Sequence, residues 1–222
     1  DITAACTASA AKRIEYTYDP VGNRLTQNRV GVTTPGATTY TYNSADQLTQ
    51  TVAGATTTTD TYDADGNQTA AGATGSVYDL NNKMVRYCPT TATCTTSTTG
   101  RVEYTYDGQG KRLTKATSGV VDTRFSWDPV GPLPELALER TGANALIRRY
   151  LQGPVGPISY ATSTGTFYYH PDAIGSVRTV TSSTGAAQWQ HDYDAFGENR
   201  LTTKVVTTAP ANPVQFAGEA LD

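Results

Sequence analysis

The residues with the most evident chemical potential are two histidines and their neighbouring aspartates. His170 and Asp172 lie in one segment, and His191 and Asp192 lie in another. Imidazole combined with carboxylate binds metals or moves protons. With two histidines in the whole chain, the competing interpretation is that these side chains shape turns and bond backbone groups. We favour the latter and predict no catalytic residue, no cofactor and no metal site.

An acidic stretch offers a second candidate for ion binding. Asp63-Ala-Asp65-Gly66-Asn67 places oxygens at alternate positions, as the first half of a calcium loop does, but the later bidentate glutamate is missing. A polar turn is the favoured interpretation. The chain also contains no Gly-x-Ser-x-Gly elbow, His-Glu-x-x-His motif or Walker loop. We therefore predict that the chain is not an enzyme.

The chain has three cysteines, Cys6, Cys88 and Cys94. The spacing of the last two suits a disulfide that clamps a short Thr-rich loop, provided that the compartment is oxidising. The alternative is two inert loop thiols. Cys6 is then an odd thiol.

An internal repeat is the main architectural signal. One copy reads Tyr16-Thr-Tyr18-Asp19-Pro-Val-Gly22 and another reads Tyr104-Thr-Tyr106-Asp107-Gly-Gln-Gly110, and Arg-Leu-Thr follows closely in both. Weaker copies are marked by Tyr42, by Tyr62, Asp63 and Gly66, by Tyr78 and Asp79, by Trp127 and Asp128, and by Tyr193, Asp194 and Gly197. An irregular period of about twenty residues favours two strands and two turns per copy.

The first copy shows the expected local physics. Asp19 bonds amides ahead of it, Pro presets the turn, and Gly22 takes a positive φ. Leu25 is expected to pack beside the tyrosine face, while Arg24 and Thr26 face away. Polar stretches at 32–38, 53–59 and 95–100 are interpreted as loose hairpin ends that vary in length.

Composition agrees with an all-β chain of consecutive antiparallel hairpins that form a curled or spiralling sheet, a partial shell. Fourteen tyrosines and two tryptophans supply apolar area. A net charge of −3 and a pI of about 5.4 give no basic face, so nucleic acid is not an expected partner. No run of 18 apolar residues predicts a membrane span. The missing initiator Met and signal peptide suggest a mature or excised fragment.

The strongest family mark is the segment Tyr168-Tyr169-His170-Pro-Asp172-Ala-Ile-Gly175-Ser176-Val177-Arg178, followed by Tyr193-Asp194-Ala-Phe-Gly197-Glu. It resembles the core signature of the Rhs/YD-repeat family, which includes Rhs toxins, shell-forming C components of Tc toxins, wall-associated bacterial proteins and teneurin YD shells. The core-signature residues are Tyr169, His170, Asp172, Gly175, Ser176, Val177 and Arg178.

The resemblance implies an organisation for the chain. Residues 1–15 form a lead-in strand or linker, 16–137 the repeat hairpins, and 138–222 the core segment, truncated before any self-cleavage site. It also implies a non-enzymatic shell or scaffold segment of a secreted or cell-surface bacterial protein, sheltering or displaying a partner polypeptide such as a toxin. The other expected partners are the rest of a longer parent chain or identical copies.

Two other functions stay open. Unpaired edge strands and Thr richness suit a self-assembling extracellular fibre or cell-surface subunit. Tyrosine ladders suit a carbohydrate-binding adhesion module that stacks its rings on glycans.

Overall fold

A computed structural model describes residues 12–31, 36–130, 134–154 and 156–219. Eighteen antiparallel strands lie in these ranges, and each ladder joins strands that follow one another in sequence. The helical part of these ranges is a single 3-10 turn, Phe216–Gly218. The predicted all-β chain of consecutive antiparallel hairpins is therefore confirmed. Among the residues described, none belongs to a helix long and apolar enough to cross a membrane.

The chain divides into two compact units, Asp1–Glu103 and Tyr104–Asp222. The boundary predicted from the sequence, between 137 and 138, is a different division and stays a prediction. The lead-in assigned to 1–15 lies mostly outside the described residues, and the first strand begins at Arg13.

The first unit contains strands of four to seven residues. They are β1 Arg13–Tyr18, β2 Arg24–Val30, β3 Gly36–Tyr42, β4 Leu48–Ala53, β5 Thr56–Tyr62, β6 Gln68–Ala71, β7 Thr74–Tyr78 and β8 Met84–Cys88, and β9 Val102–Tyr106 spans the division.

The second unit continues in the same way. Its strands are β10 Arg112–Thr117, β11 Val120–Asp128, β12 Glu135–Thr141, β13 Leu146–Gly153, β14 Gly156–Thr162, β15 Gly165–Pro171, β16 Val177–Ser182, β17 Ala187–Tyr193 and β18 Asn199–Lys204.

An aspartate or asparagine side chain closes the repeat turns. Asp19 Oδ1 accepts the backbone N–H groups of Val21 and Asn23 at 3.1 and 2.7 Å. The same two-amide pattern recurs at Asn43, Asp63, Asp79, Asp107, Asp172 and Asp194. These bonds satisfy backbone donors that the strands leave unpaired at the bend.

The fourth residue of each of these turns has a positive φ. Gly22 has φ +102° and Gly66 has φ +87°, whereas the weaker copies place Asp46 and Asn82 there with φ +58° and +57°. Asp and Asn tolerate this region better than other side chains. Copies without the glycine therefore keep the same turn. For Asp128 the structure describes one such bond, from Val130 N at 2.9 Å.

A β-bulge follows the turn and reverses one prediction. Thr17 pairs with Thr26 but Tyr18 pairs with Arg24, so Leu25 is the extra residue and is 38% exposed. Because the bulge shifts the alternation, Arg24 turns to the aromatic side and its guanidinium lies 4.2 Å from the Tyr40 ring centroid. The expectation that Leu25 packs on the tyrosine face and Arg24 faces away is wrong.

The aromatic residue before a turn binds the backbone of the turn that precedes it in sequence. The Tyr42 hydroxyl donates to Arg24 O at 3.1 Å, and the Tyr62 hydroxyl donates to Leu48 O at 2.7 Å. The same contact is made by the hydroxyls of Tyr78 and Tyr193 and by the indole N–H of Trp127, which donate to Gln68 O, Val177 O and Arg112 O respectively. Each acceptor lies five residues after the residue that opens its turn. We call these bonds the tyrosine latches, counting the equivalent indole bond of Trp127 among them.

The hairpin end expected at 53–59 is present but tighter than predicted. The stretch 53–59, interpreted as a loose hairpin end, consists of a two-residue turn and the first half of β5, since Ala53 pairs with Thr56. Gly54 supplies a positive φ of +59°, and the β-branched threonines that follow favour the strand. The stretch 32–35 lies outside the described residues.

The loop between β8 and β9 is clamped by a disulfide between Cys88 and Cys94, with 5.4 Å between their Cα atoms. Cys88 is fully buried. The loop backbone lies close over Gly75, where a Cβ atom would be 2.5 Å from Ala92 O. The loop therefore packs onto β7. Cys6 lies outside the described residues.

Tyr62→Phe removes one latch while keeping the ring. We expect a loss of about 1 kcal/mol in the free energy of unfolding, because Leu48 O loses its donor. Urea denaturation followed by far-UV circular dichroism measures this. Tyr168→Phe is the matched control, since Tyr168 is exposed; an equal loss in both variants contradicts the latch.

Asp60 on β5 makes the stability of the first unit depend on pH. The residue is buried and burial raises the pKa of its carboxyl. Its contribution to stability is fully present below the ordinary aspartate pKa and is lost as pH rises through the raised folded value. Turn aspartates such as Asp107 act oppositely, because the Lys111 backbone N–H lowers the pKa of that carboxyl.

Asp60→Asn should therefore gain stability over wild type as pH rises through that interval. Urea denaturation of both proteins at a series of pH values measures the difference. A difference that is constant with pH would show that Asp60 has the same pKa folded and unfolded.

Candidate functional site

The second unit buries an aromatic core on one sheet face. Tyr150 lies opposite Tyr160, which lies opposite Phe167 on the next strand. The Tyr160 ring centroid is 5.2 Å from that of Phe167 and 5.3 Å from that of Tyr169. Burial raises the pKa of Tyr160 to about 12. The aliphatic residues that pack with this core are Val177, Val180 and Val214.

A buried ion pair borders the aromatic core. Glu139 of β12 faces Arg148 of β13, and their carboxylate and guanidinium are 2.5 Å apart. The Tyr150 hydroxyl donates to the other Glu139 oxygen at 2.6 Å. Burial alone would lower the pKa of Arg148, but the charge of Glu139 holds it above its ordinary value. Burial, reinforced by Glu139, raises the pKa of Tyr150. Arg148 therefore stays charged and Tyr150 stays protonated near neutral pH.

A cleft of about 630 Å³ opens beside this ion pair. Strands β10 to β13 and a loop near residue 212 form its walls. The residues that line it include Tyr106, Gly110, Lys111, Arg112, Lys115, Phe125, Trp127, Glu139, Arg148, Asn212 and Glu219. The cleft combines aromatic, cationic and anionic groups.

The chain returns over the same unit after β18, in residues 205–219, which we call the return segment. The Val177 N–H donates to Gln215 O at 2.9 Å, and the Ala217 N–H donates to Ser176 Oγ at 2.9 Å. The return segment therefore rests on the turn of the core signature and covers part of the aromatic core.

The core-signature residues have structural partners. Asp172 Oδ1 accepts from Ile174 and Ser176 N–H groups, and Gly175 has φ +87°. Tyr169 and Val177 belong to the aromatic core. Arg178 pairs with Asp192 at 2.6 Å on a half-exposed surface. These placements do not test the roles predicted for them.

The two histidines lie in different environments. His170 is exposed and its Nε2 is 2.9 Å from Thr181 Oγ1, whereas His191 is buried and its Nε2 is 3.0 Å from Asn212 Nδ2. Burial, with the charge of Arg178, lowers the pKa of His191. Across the described ranges, no three His, Cys, Asp or Glu side chains come together as metal ligands would.

Sequence reasoning missed the ion pair of Glu139 and Arg148. The available signal was charge inside strand-like runs, Ala-Leu-Glu-Arg and Ile-Arg-Arg-Tyr. Period-two alternation turns one charged residue of each run to the buried face. The register that brings the two inward residues together depends on the hairpin between them, which the sequence did not reveal.

The chain is similar in sequence to parts of longer bacterial proteins, among them a nuclease and a deaminase toxin. It is 28% identical over 221 residues to the tRNA3(Ser)-specific nuclease WapA of Bacillus spizizenii, covering 94% of this chain and 8% of that protein. It is 27% identical over 167 residues to the double-stranded DNA deaminase toxin A of Burkholderia cenocepacia, covering 54% of this chain and 12% of that protein. The chain thus spans about a tenth of these relatives' length. No family model matches it.

Solved structures of Tc toxin chains resemble the fold of this chain. A Tc holotoxin pore of Photorhabdus luminescens that includes TccC3 matches with a TM-score of 0.55 at 16% identity, over 94% of this chain and 14% of that one. A TcdB2–TccC3 crystal structure matches with a TM-score of 0.53 at 15% identity, over 94% and 15%. At such identity the likeness shows a shared fold.

The prediction that the chain is not an enzyme is contradicted by these comparisons. The sequence relatives are named as a deaminase and nucleases, which are enzymes. The prediction relied on missing hydrolase and nucleotide motifs. In relatives of which this chain matches about a tenth, catalytic groups can lie in any part of the protein, so motif absence in one segment did not support the conclusion.

Glu139→Gln tests the buried ion pair. We expect a loss of about 3 kcal/mol in the free energy of unfolding, because Arg148 keeps its buried charge without a compensating carboxylate. Urea denaturation measures it. Asp192→Asn is the control: it removes half-exposed ion pairs with Arg178 at 2.6 Å and with Arg200 at 3.7 Å, and should cost less than about 1 kcal/mol. Equal losses of unfolding free energy in the two variants would show that burial does not make the ion pair of Glu139 and Arg148 more important for stability.

Proposed function

We propose that this chain is a wall segment of a bacterial Rhs-type toxin, and that its hairpins shelter an effector polypeptide with enzymatic activity. The observation that carries the proposal is the run of latched hairpins, which shares its fold with Tc toxin chains over 94% of its length. The names of the sequence relatives, a deaminase toxin and a tRNA nuclease, support the same assignment.

The geometry suits a wall that faces a polypeptide. The latches and turns use their polar groups within the sheet, as Tyr62 does with Leu48 O. The cleft of the second unit instead exposes aromatic and charged groups together. In this proposal the parent protein is secreted or displayed on the bacterial surface, and the neighbours of the segment are further parts of that protein.

The other two functions have less support. Most YD tyrosines donate their hydroxyls to backbone carbonyls, as Tyr42 and Tyr78 do, which reduces their availability to glycans. The reported relatives are not named for glycan binding or for fibres. Both alternatives are outcomes of the experiment below.

The purified chain should bind an unfolded polypeptide in preference to the same polypeptide when folded. The probe is fluorescein-labelled lysozyme, either native or reduced and carboxymethylated, followed by fluorescence anisotropy. We expect the unfolded form to bind with a Kd of about 1–100 µM and the native form not to bind. Equal binding of both forms, or of neither, refutes sheltering.

Electron microscopy and glycan-array binding of the same preparation complete the test. Filaments would favour the fibre, and specific glycan binding would favour the adhesion module. Dispersed particles that bind only the unfolded probe are the result expected for a wall segment.

A further inference from the structure

The return segment contacts a row of three stacked rings on β17. Trp189, His191 and Tyr193 are alternate residues of the strand and therefore share one face. Their ring centroids are 6.0 and 5.9 Å apart, and the planes are within 5° and 11° of parallel. The Trp189 Nε1–H donates to Pro210 O at 2.8 Å, and the Phe216 ring packs edge-on against Tyr193. The return segment thus holds both ends of the row, and His191 lies between them.

A closed cycle of hydrogen bonds joins His191 to the return segment. The backbone oxygen of Asn212 can only accept, so Gln215 Nε2 donates to it at 3.4 Å. Gln215 Oε1 then accepts from Asn199 Nδ2 at 3.2 Å, and Asn199 Oδ1 accepts from the Thr202 hydroxyl at 3.0 Å. Because the hydroxyl proton is used there, Thr202 Oγ1 accepts from His191 Nδ1–H at 3.2 Å.

The direction of this cycle sets the protonation state of His191. Its imidazole carries one proton, on Nδ1, and Nε2 accepts from Asn212 Nδ2 at 3.0 Å. Both residues are buried, so bulk water does not replace a lost partner. A second proton would turn Nε2 into a donor that faces an amide N–H. The cycle therefore closes with a neutral His191.

The charges near His191 also oppose a second proton. Burial lowers the pKa of His191, and the positive charge of Arg178 on β16 lowers it further. The Asp192 carboxylate, next along β17, is already paired with Arg178 at 2.6 Å and with Arg200 at 3.7 Å. Residues 205–218 contain no Asp, Glu, Lys or Arg. That part of the return segment therefore brings no negative charge to balance an imidazolium.

The other titratable groups beside the row do not supply one either. Burial raises the pKa of Tyr193 to about 12, so its hydroxyl stays protonated. Lys204 on β18 places its ammonium 5.5 Å from the centroid of the Trp189 ring, which adds a second positive charge to this face. An imidazolium at His191 is therefore surrounded by neutral and positive groups.

We propose that His191 is a pH-sensitive switch for the return segment: a proton added at Nε2 breaks the bond to Asn212 and releases residues 205–219 from the aromatic row. The closed form is fully favoured above the ordinary histidine pKa of about 6.5, and it loses stability as pH falls from that value towards the lowered pKa. The switch uses contacts within the second unit and does not depend on the proposed function.

The two indole N–H groups of the chain are a matched pair of probes. That of Trp189 bonds to Pro210 O in the return segment, whereas that of Trp127 bonds to Arg112 O on β10. Nitrogen-15 NMR of the purified chain gives the hydrogen-exchange rate of each. The ratio of the Trp189 rate to the Trp127 rate removes the intrinsic pH dependence that both share. We expect this ratio to rise below pH 6.5, by up to about tenfold per pH unit, since one proton is taken up on opening.

Variants assign the effect to His191. His191→Gln keeps an acceptor for Asn212 and a donor for Thr202 but does not titrate, so its ratio should stay constant with pH. His170→Gln is the matched control, because His170 is exposed, and it should keep the wild-type rise. Asn212→Asp offers a carboxylate to the imidazolium, so its ratio should fall as pH decreases.

Each contrary result is decisive. A constant ratio in the wild type would mean that the Asn212 amide turns over to accept the new proton, and it overturns the inference. A rise that persists in His191→Gln assigns the pH dependence to another group and overturns it as well. If His191→Gln does not fold, Asn212→Asp decides by sign, because a wild-type rise in that variant contradicts the switch.

Discussion

The hydrogen bond from a YD tyrosine to the preceding turn is the contact on which the hairpin array depends. A two-stranded hairpin alone is marginal in water. The hydroxyls of Tyr42 and Tyr62 reach carbonyls of the previous turn, so each hairpin is tied to its neighbour by side chains as well as by the strand ladder. The asparagine or aspartate that follows each of these tyrosines holds the next bend, and one dipeptide therefore serves two hairpins.

The second unit uses the same turns but differs in what its strands carry. An aromatic core with a buried ion pair replaces the mostly half-buried polar strands of the first unit. The return segment covers one part of that face, and the cleft remains beside it. Under the proposed function, the part of the face that the return segment leaves uncovered is the part available for contact with a sheltered polypeptide.

The features that could be predicted from the sequence are those determined by residues close to one another in the chain. The hairpin chain followed from the alternation and the turn residues, because Asp19 and Gly22 act within a few residues of themselves. The prediction of the side to which Leu25 points was wrong, because a β-bulge shifts the register and simple alternation does not account for it. The ion pair of Glu139 and Arg148 joins two strands across a hairpin, and only the register brings its members together.

The latches also have a direction. In each one the donor belongs to the later residue and the acceptor to the earlier turn, as in Tyr193 and Val177. During synthesis from the N-terminus, the residues of each acceptor turn emerge before its tyrosine. Each new hairpin can therefore bond to residues that have already been synthesised, and the latches can form in chain order without waiting for residues further along the chain.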